Sequence, residues 1–406
     1  MGMGFIEWSN EKNQNLDRYQ RVDVRDWVNQ PLENINVWGG RTEQRNAVVE
    51  YAVSRYLGKI GIVVLHNNDV LERDLMQFQK IYPEIFRKDP DIKACFVNGR
   101  NLVYEPLEGM DKNRIAEIIY PESTTEYQKY SQSMEALKVY LDIITKSGKS
   151  MNLDHLLTLC NMNQEQLERR VLVNFPAHMA ENYSDILTRD NQALQVGADL
   201  RNFAGKLDGR IWSEDAEQTS ISMVRAVENR ALITIRMPSE NRAVQDYLAA
   251  ELEYMIERNM KFVLVIDSVN MKESRLKNIA MNPAANFCTI LAGNSHMELG
   301  DCAGAEENQN QLLYRADKII LFQCGNARIA QLYSSFIGNY LKKVISYHED
   351  KHRGAFDIFA GHGKGKGVAE QDFARVRPEE LTSLRDGAVL IDQRNGKIEI
   401  AGKFVY

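Results

Sequence analysis

Short apolar runs that lack polar alternation recur along the chain and predict buried strands. Two of them, Ile60–Leu65 and Phe262–Asp267, are apolar at nearly every position, which is typical of strands covered on both faces of a parallel sheet. Further strands are predicted on this pattern at Ala94–Val97, Ala231–Ile235, Thr289–Ala292, Lys318–Gln323 and Ala388–Asp392. Amphipathic stretches alternate with the strands, most clearly Thr42–Leu57, Arg242–Arg258 and Ala327–Leu341. This alternation favours an α/β fold with a doubly wound, mostly parallel sheet.

From Asn113 to Glu217 the pattern changes, because only helical periodicity is present. The clearest predicted helices of this segment are Tyr130–Ile144, Gln164–Val173 and Ser184–Phe203. We therefore expect residues 113–217 to form an all-helical insertion in an α/β domain made of residues 1–112 and 218–406, the latter ending in a C-terminal tail. Aromatic side chains of the insertion are expected in its core rather than in a partner groove, namely Tyr120, Tyr127, Tyr130, Tyr140, Phe175 and Tyr183.

Composition and charge exclude several classes of protein. The 406 residues include five scattered cysteines and no CxxC pair, which indicates a reducing compartment rather than a disulfide scaffold or a cysteine zinc site. No apolar run approaches the roughly 18 residues of a membrane span, and residues 1–10 lack a signal-peptide pattern, so a cytoplasmic protein is expected. The formal charge of −6 argues against coating nucleic acid by bulk attraction, although a local basic patch is allowed.

A glycine-containing turn follows a strand-like stretch in Asn34–Asn46, which reads NINVWGGRTEQRN. Such a turn before a helix can bind phosphate through converging backbone N–H groups. Against the pattern GxxxxGK[ST], Gly39 matches the first glycine, but Gln44 stands at the second and would have to take any positive φ. Taken alone, the segment is more simply a glycine turn that opens a helix. The candidate nucleotide-binding residues are Gly39, Gly40, Arg41, Thr42, Gln44, Arg45 and Asn46.

The second half of a nucleotide site would be an apolar strand that ends in acidic residues. Asp267 ends such a strand and is placed to orient a Mg²⁺-bound water, although it could equally cap the next turn. Ser268 follows where a hydrolase usually carries Glu as general base. A serine hydroxyl does not accept a proton in that role unless another base activates it.

Other segments continue these motifs in a fixed order along the chain. They are Ile60–Leu71, Tyr104–Leu107, Asn113–Tyr120, Phe203–Met237, Asn294–Ser295, Ala316–Gly338, Arg375–Leu384 and Asp386–Leu390. Together with Asn36–Asn46 they resemble the motor domain of conjugative type IV secretion coupling proteins, the TraG/TraD-like branch of the FtsK/HerA-type ATPases. The resemblance covers nearly the whole chain. Asn294 stands where the family has a glutamine sensor, which makes it a further candidate nucleotide-binding residue.

The resemblance implies a P-loop ATPase fold, a helical insertion involved in substrate reception, and a homo-oligomeric ring at the inner face of the cell membrane. It implies ATP and Mg²⁺ as cofactors, other secretion-system proteins as partners, and DNA or protein as the transported substrate. The family's amino-terminal membrane helices are missing here, so contact with the membrane is expected only through partners. Arg315 and Arg328 are candidate trans-acting fingers in a ring, although an exposed or structurally paired arginine is commoner. Asp267 and Arg328 are thus the candidate catalytic residues.

The departures from the family pattern are concentrated at the positions where the family has its catalytic and nucleotide-binding residues. Arg45 replaces the phosphate-loop lysine, Asn46 the Ser/Thr, Ser268 the glutamate and Asn294 the sensor glutamine. Because loss of one transition-state group typically costs about 10²–10⁴-fold in rate, we hypothesise a pseudo-ATPase. It would bind substrate or partner proteins, with weak or absent ATP binding and hydrolysis. The alternative is an active, divergent motor that moves DNA or protein by using Arg45 and Asp267.

Two further motifs point to other chemistry. His348–His352 spells HExxH, through which His348 and His352 would bind Zn²⁺ from one helix face while Glu349 activates water, with Glu370 or Asp372 as third ligand. Charged neighbours favour a solvated helix end over a zinc peptidase. Gly361–Gly367 alternates glycine with His and Lys, and is expected to be a flexible surface linker rather than a phosphate-binding loop.

Overall fold

The protein divides into two compact units, each with its own strands. The computed structural model describes residues 16–81, 83, 94–97, 102–120, 127–189, 192–207, 219–237, 242–272, 274–282, 284–300, 311–350 and 363–406. The larger unit comprises the described residues of 24–318, and the smaller unit those of 1–23 and 319–405. The chain is an α/β protein, as its sequence predicts.

The strands and helices are numbered in chain order. The described strands are β1 (Leu16–Asp23), β2 (Ile35–Trp38), β3 (Gly61–His66), β4 (Ala94–Val97), β5 (Leu102–Tyr104), β6 (Thr219–Ile221), β7 (Leu232–Arg236), β8 (Phe262–Asp267), β9 (Phe287–Gly293), β10 (Lys318–Leu321), β11 (Asn339–Asp350), β12 (Gly363–Ala374), β13 (Ala388–Asp392) and β14 (Lys397–Val405). The described helices are α1 (Val24–Trp27), α2 (Thr42–Ser54), α3 (Asp69–Met76), α4 (Phe78–Ile81), α5 (Lys112–Ile119), α6 (Tyr127–Lys146), α7 (Leu153–Cys160), α8 (Gln164–Asn174), α9 (Ala177–Thr188), α10 (Gln192–Lys206), α11 (Met223–Glu228), α12 (Arg242–Glu257), α13 (Arg275–Met281), α14 (Gln311–Tyr314), α15 (Ala327–Ile337) and α16 (Pro378–Thr382).

The core of the larger unit is a parallel sheet with the strand order β2–β9–β8–β3–β7–β4, in which every neighbouring pair is parallel. All six residues of β3 and of β8 are buried, which explains why their sequences lack polar alternation. In β8, Asp267 lies opposite His66 of β3 on one side and Ala292 of β9 on the other. The carboxyl ends of these strands therefore meet at one edge of the sheet.

The sheet is doubly wound, as predicted. The chain moves from β2 to β3 and then to β4 in one direction along the sheet, and from β7 to β8 and then to β9 in the opposite direction. Right-handed crossovers in opposite directions place their helices on opposite faces. In agreement, α2 and α3, which lie in the connections from β2 to β3 and from β3 to β4, pack on each other. Helices α12 and α13, which lie in the connections from β7 to β8 and from β8 to β9, also pack on each other.

The smaller unit combines a mixed set of strands with a separate ribbon. Its strands follow the order β1–β14–β13–β10, with β1 parallel to β14 and β13 antiparallel to β14. The two long strands β11 and β12 pair only with each other in the described chain, antiparallel, with Asn339 opposite Ala374 and Asp350 opposite Gly363. This ribbon lies where the sequence predicts loops or a helix end, because its glycine-rich and charged composition lacks the apolar alternation of a half-buried strand.

Every strand that the apolar runs predict is present, with ends shifted by no more than two residues. Two predicted helices are wrong in extent. Ser184–Phe203 contains a break, because α9 ends at Thr188 and Arg189 is extended, with φ −64° and ψ 127°. Ala327–Leu341 is too long, since Gly338 has φ 87° and ends α15. Gly338 is itself a sequence signal for a helix end, which the helical period alone does not register.

The helical segment leaves and rejoins the sheet through a pair of short strands. Described residues between Lys112 and Lys206 are helical or lie in turns, with no strand among them, and residues 208–218 lie outside the description. Before and after this segment, β5 and β6 pair in parallel, with Leu102 opposite Thr219. The pairing brings the two ends of a long connection together, which limits the conformational freedom of the helices between them.

The predicted aromatic core of the helical segment is confirmed for three side chains, and a fourth, Tyr183, is half-buried. Tyr120, Tyr140 and Phe175 are buried. Tyr183 packs its ring edge against Phe175, with ring centres 4.9 Å apart. Tyr127 and Tyr130 have side chains outside the description. Among the described residues, no helix combines the length and apolar character that crossing a bilayer requires.

Two buried carboxyl groups hold the junction between this segment and the sheet. Glu105 accepts a hydrogen bond from the N–H of Leu153, at the start of α7, with a distance of 3.1 Å. Glu251 accepts from the N–H of Val224, at the start of α11, at 2.9 Å, and from the hydroxyl of Tyr104. Burial raises the pKa of both glutamates to about 8. Their ionised forms are therefore less favourable in the folded state than in the unfolded one.

This arrangement predicts stability that falls with rising pH. A carboxyl group whose pKa is raised on folding contributes stability below its unfolded pKa, near 4.5, and that contribution is lost as the pH rises towards 8. We expect Glu251→Gln to reduce the decline in the free energy of unfolding between pH 5 and pH 9, measured by urea denaturation. Glu257→Gln, at an exposed position of the same helix, is the control. Equal slopes for the two variants would contradict the assignment.

Candidate functional site at the carboxyl edge of the sheet

The strand order brings most of the candidate residues to one edge of the larger unit. Strands β2, β9, β8 and β3 end there at Trp38, Gly293, Asp267 and His66, and the residues that follow them form the site. The turn after β2 is tied to the strand beside it, because the Gly39 N–H donates to the Gly293 carbonyl at 3.1 Å. The phosphate-loop candidate and Asp267 therefore lie at the same edge of the sheet.

The turn after β2 is short and has two residues in the left-handed region. Gly39 and Gly40 have φ of 77° and 66°, which a residue with a side chain rarely adopts. Helix α2 begins two residues later, at Thr42, and the Gln44 Oε1 accepts the Arg41 N–H at 2.9 Å. Gln44 thus lies inside the first helical turn. The expectation that Gln44 takes a positive φ is wrong, because the helix starts before it.

Arg45 fills the inside of this turn. Its Nη1 donates to the carbonyl oxygens of Gly39 and Gly40, both at 3.0 Å, and its Nη2 donates to the Thr42 hydroxyl at 3.3 Å. Arg45 is only 3% exposed. Burial lowers its pKa, whereas the charges of Asp267, Glu298 and Glu43 act in the opposite direction. A phosphate cradle presents backbone N–H groups to an anion, but this turn presents carbonyl oxygens to a guanidinium.

Asp267 is enclosed by neutral hydrogen-bond donors. Its Oδ2 accepts from Asn68 Nδ2 at 2.6 Å, and its Oδ1 accepts from the Ser268 hydroxyl at 3.0 Å. Burial raises the pKa of Asp267, and the bonds from Asn68 and Ser268 together with the charge of Arg45 oppose the rise. Ser268 itself has φ 57°, and its N–H donates to the Ala292 carbonyl at 2.9 Å. Both carboxylate oxygens are thus engaged by the chain itself.

Asn68 connects Asn46 to Asp267, and no motif in the sequence points to it. Its Nδ2 also donates to Asn46 Oδ1 at 3.0 Å, and its Oδ1 caps α3 by accepting the N–H groups of Val70 and Leu71. The available signal is an asparagine directly after the strand β3 and directly before a helix. Its neighbour His66 is neutral, because burial lowers its pKa to about 4, and its Nδ1 accepts the Asn68 N–H at 3.3 Å.

The polar chain continues from Asn46 to the outside of the site. Asn46 Nδ2 donates to Asp74 Oδ2 at 3.1 Å. Glu50, one turn further along α2, has its pKa raised to about 7 by burial and by the charge and hydrogen bond of Asp74. The amide oxygen of Asn46 therefore accepts a hydrogen bond from Asn68, and its amide nitrogen donates one to Asp74.

Asn294, the candidate sensor, is occupied by an acidic neighbour. Its backbone N–H donates to Glu298 Oε2 at 2.7 Å, and its Nδ2 donates to Glu298 Oε1 at 3.1 Å. Both residues are exposed at the same edge of the sheet as Asp267. A glutamate held in this position adds negative charge beside the turn, which disfavours a second anion there.

The residues of the edge do not fit Mg²⁺ and ATP in the arrangement that the structure shows. Arg45 occupies the turn where the phosphates would lie, both oxygens of Asp267 accept protein hydrogen bonds, and Asn46 is engaged on both sides. Within the described chain, no three His, Cys, Asp or Glu side chains are grouped to hold a metal ion.

The remaining candidates lie elsewhere. Arg328 is exposed in the first turn of α15, in the smaller unit, where its N–H donates to the Asn326 side chain at 2.8 Å. Arg315 is an exposed residue of the larger unit. The segment His348–Asp350 is extended in β11, so the predicted helix end is wrong there, and His352 lies outside the described residues. Residues 363–367 are likewise in β12 and not a linker, whereas residues 361–362 are not described.

Comparison with known proteins gives structural similarities only. No protein-family model matches the sequence, and no curated protein is significantly similar to it. The bacterial conjugative coupling protein TrwBΔN70 is similar in structure with a TM-score of 0.38 and 13% identity, over 85% of each chain. VirB4 of Thermoanaerobacter pseudethanolicus is similar with a TM-score of 0.37 and 11% identity, over 75% of this chain and 80% of that one.

The position of Arg45 predicts a structural role that can be measured. We expect Arg45→Ala to lower the free energy of unfolding by about 2–4 kcal/mol, since the buried carbonyl oxygen of Gly39 and the half-buried one of Gly40 would lose their donor. The measurement is urea denaturation followed by circular dichroism. Arg73→Ala, at an exposed position of the neighbouring helix α3, is the control, with an expected change within about 0.5 kcal/mol. A similar small change for Arg45→Ala would show that the guanidinium does not hold the turn.

Proposed function

We propose that this protein is a coupling-protein-like component of a type IV secretion or conjugation system and a pseudo-ATPase. It acts by binding substrate or partner proteins, with ATP turnover largely lost. The observation that carries the second half of the proposal is the guanidinium of Arg45 inside the turn after β2, at 3.0 Å from both glycine carbonyl oxygens. The first half is supported by the ordered sequence segments that resemble the coupling-protein motor domain.

Three parts of a hydrolytic site are affected at once. The cradle for phosphate is filled by a side chain of the protein, so ATP would have to displace buried hydrogen bonds before it could bind. Both carboxylate oxygens of Asp267 already accept hydrogen bonds from the protein, with which a metal-bound water would have to compete. Ser268 stands where a hydrolase usually carries a glutamate, and its hydroxyl, which donates to Asp267, is a much weaker base than a carboxylate for taking a proton from water. These losses act on one reaction, so their effects on rate overlap rather than multiply.

The same proposal includes the arrangement of the chain in its assembly. Residues 1–112 and 218–406 form the ATPase-like domain, and residues 113–217 form the inserted helical domain that receives other proteins. Leu172 and Val173, at the end of α8, are 64% and 83% exposed, and apolar side chains at such exposure support contact with protein partners.

In this proposal the protein acts in the cytoplasm at the inner face of the membrane, which it reaches through other secretion-system proteins. It forms a ring with its own copies.

Two alternatives have less support. An active motor that moves DNA or protein would need Arg45 to leave the turn and Asn68 to release Asp267, which costs several buried hydrogen bonds. A zinc peptidase would need the two histidines of HExxH on one helix face, and His348 begins that motif in an extended strand.

The decisive experiment is a steady-state ATPase assay of the full chain with Mg²⁺. We expect no turnover that depends on Asp267, so wild type, Asp267→Ala and the exposed control Asp26→Ala give the same background. A rate of about 1 s⁻¹ or more, in the range of working enzymes, that disappears in Asp267→Ala and persists in Asp26→Ala would overturn the pseudo-ATPase.

A binding titration separates the pseudo-ATPase from the motor at an earlier step. We expect that opening the turn with Arg45→Ala does not weaken binding of Mg-ATP, because Arg45 serves the protein and not a nucleotide. Tight, Mg²⁺-dependent binding that Arg45→Ala weakens by tenfold or more, with the fold intact by circular dichroism, would favour the motor.

A further inference from the structure

The smaller unit contains a cavity of about 530 Å³ that no part of the proposed function uses. It lies between strands β1, β11 and β12 and the helix α16, and three of its lining residues are arginines. The charged and aromatic side chains around it are Arg18, Tyr340, Arg375, Arg377, Glu379 and Glu380. We call this space the arginine cavity. Its volume is within the range of small-molecule sites.

One of the two acidic residues is already engaged. Glu380 accepts the Arg377 N–H at 2.9 Å and the guanidinium of Arg18 at 2.7 Å. Burial alone would raise the pKa of Glu380, but these two hydrogen bonds and the charges of Arg18 and Arg377 lower it, so the carboxylate stays ionised beside both arginines. The partner of Arg18 is thus supplied by the protein.

The other two arginines have no such partner. Among the described residues, neither the Arg375 nor the Arg377 guanidinium forms an ion pair, and the buried Arg375 Nε has no hydrogen-bond acceptor. A buried donor without an acceptor costs about 1–3 kcal/mol. Glu379 is exposed and is the single remaining carboxylate of the lining. The lining therefore holds three guanidinium groups against two carboxylates, an excess of positive charge in a chain whose formal charge is −6.

An aromatic face lies beside these arginines. Tyr340 lines the cavity at the start of β11 and is half-buried. Its ring lies against that of Phe373 on β12, with centres 6.0 Å apart and planes inclined by 32°, so its orientation is supported. Guanidinium groups bind phosphate oxygens through paired N–H donors, and a fixed tyrosine ring is a platform on which a base can stack.

We propose that the arginine cavity binds the phosphate group of a nucleotide, with Arg375 and Arg377 on the phosphate and Tyr340 against the base. The source of the nucleotide is either free nucleoside phosphate or an end of single-stranded DNA, which present the same chemistry. This site is independent of the turn at Arg45, which belongs to the larger unit. The proposal stands whether or not the pseudo-ATPase does.

The test is isothermal titration of the full chain with ADP, with inorganic phosphate and with a short oligothymidylate that carries a 5′ phosphate. We expect at least one nucleotide probe to bind, and Arg375→Ala and Arg377→Ala each to weaken that binding about tenfold or more. Arg375→Lys keeps the charge but loses the paired donors, so a smaller loss is expected. Arg21→Ala, at an exposed position of β1 outside the lining, is the matched control and leaves binding unchanged.

The probes distinguish the sources. Binding of ADP with competition by inorganic phosphate assigns the site to free nucleotides, and binding of the oligothymidylate alone assigns it to DNA. No binding of any probe, or binding that follows Arg45 and not Arg375, would overturn the proposal.

A second measurement does not depend on variants. Phenylglyoxal modifies accessible arginines, and mass spectrometry locates the modified residues. We expect the nucleotide probe to protect Arg375 and Arg377 while Arg21 remains reactive. Equal modification of all three residues with and without the probe would count against the site.

Discussion

Parallel pairing of β2, β9, β8 and β3 is the constraint on which the site depends. Because these strands run in one direction, the residues that follow each of them emerge at one edge of the sheet. Asn68 and Asp267 are 199 residues apart in sequence, and pairing of β3 with β8 places their side chains 2.6 Å apart. A change in strand order would separate Asn68 from Asp267 without altering any local motif.

At this edge the protein uses its own side chains where a nucleotide enzyme would use a ligand. The guanidinium of Arg45 meets the carbonyl oxygens of the glycine turn, and the amide of Asn68 meets the carboxylate of Asp267. Each bond satisfies a buried polar group that would otherwise be costly. A site satisfied internally is stable without a ligand, and for the same reason a ligand gains little by entering it. The contacts that stabilise Arg45 and Asp267 within the protein would have to break for a nucleotide to bind these residues.

A different set of contacts attaches the helical segment to the sheet. Pairing of β5 with β6 closes its ends, and the buried Glu105 reaches from the strand side to the start of α7. Side-chain oxygens that satisfy the first N–H groups of a helix fix where that helix begins. The orientation of α7 is therefore set by a residue of the sheet side. A charge change at Glu105 or Glu251 would act on this junction and not on the edge that contains Asp267.

The sequence by itself determined the α/β class, the buried strands, the helical middle and the loop that contains Gly39 and Arg45. These features depend on residues within a few positions of one another, so a local pattern is sufficient to show them. It also located Asp267 at the end of a strand.

The sequence did not reveal Asn68, the break after Thr188 or the β11–β12 ribbon. Only the tertiary structure decided that Arg45 turns into the loop, that Asn68 links Asn46 to Asp267, and that Arg375 and Arg377 share a cavity with Tyr340. The link from Asn68 to Asp267 and the shared cavity depend on the arrangement of distant strands, and the position of the Arg45 guanidinium depends on its burial; a local sequence pattern shows neither.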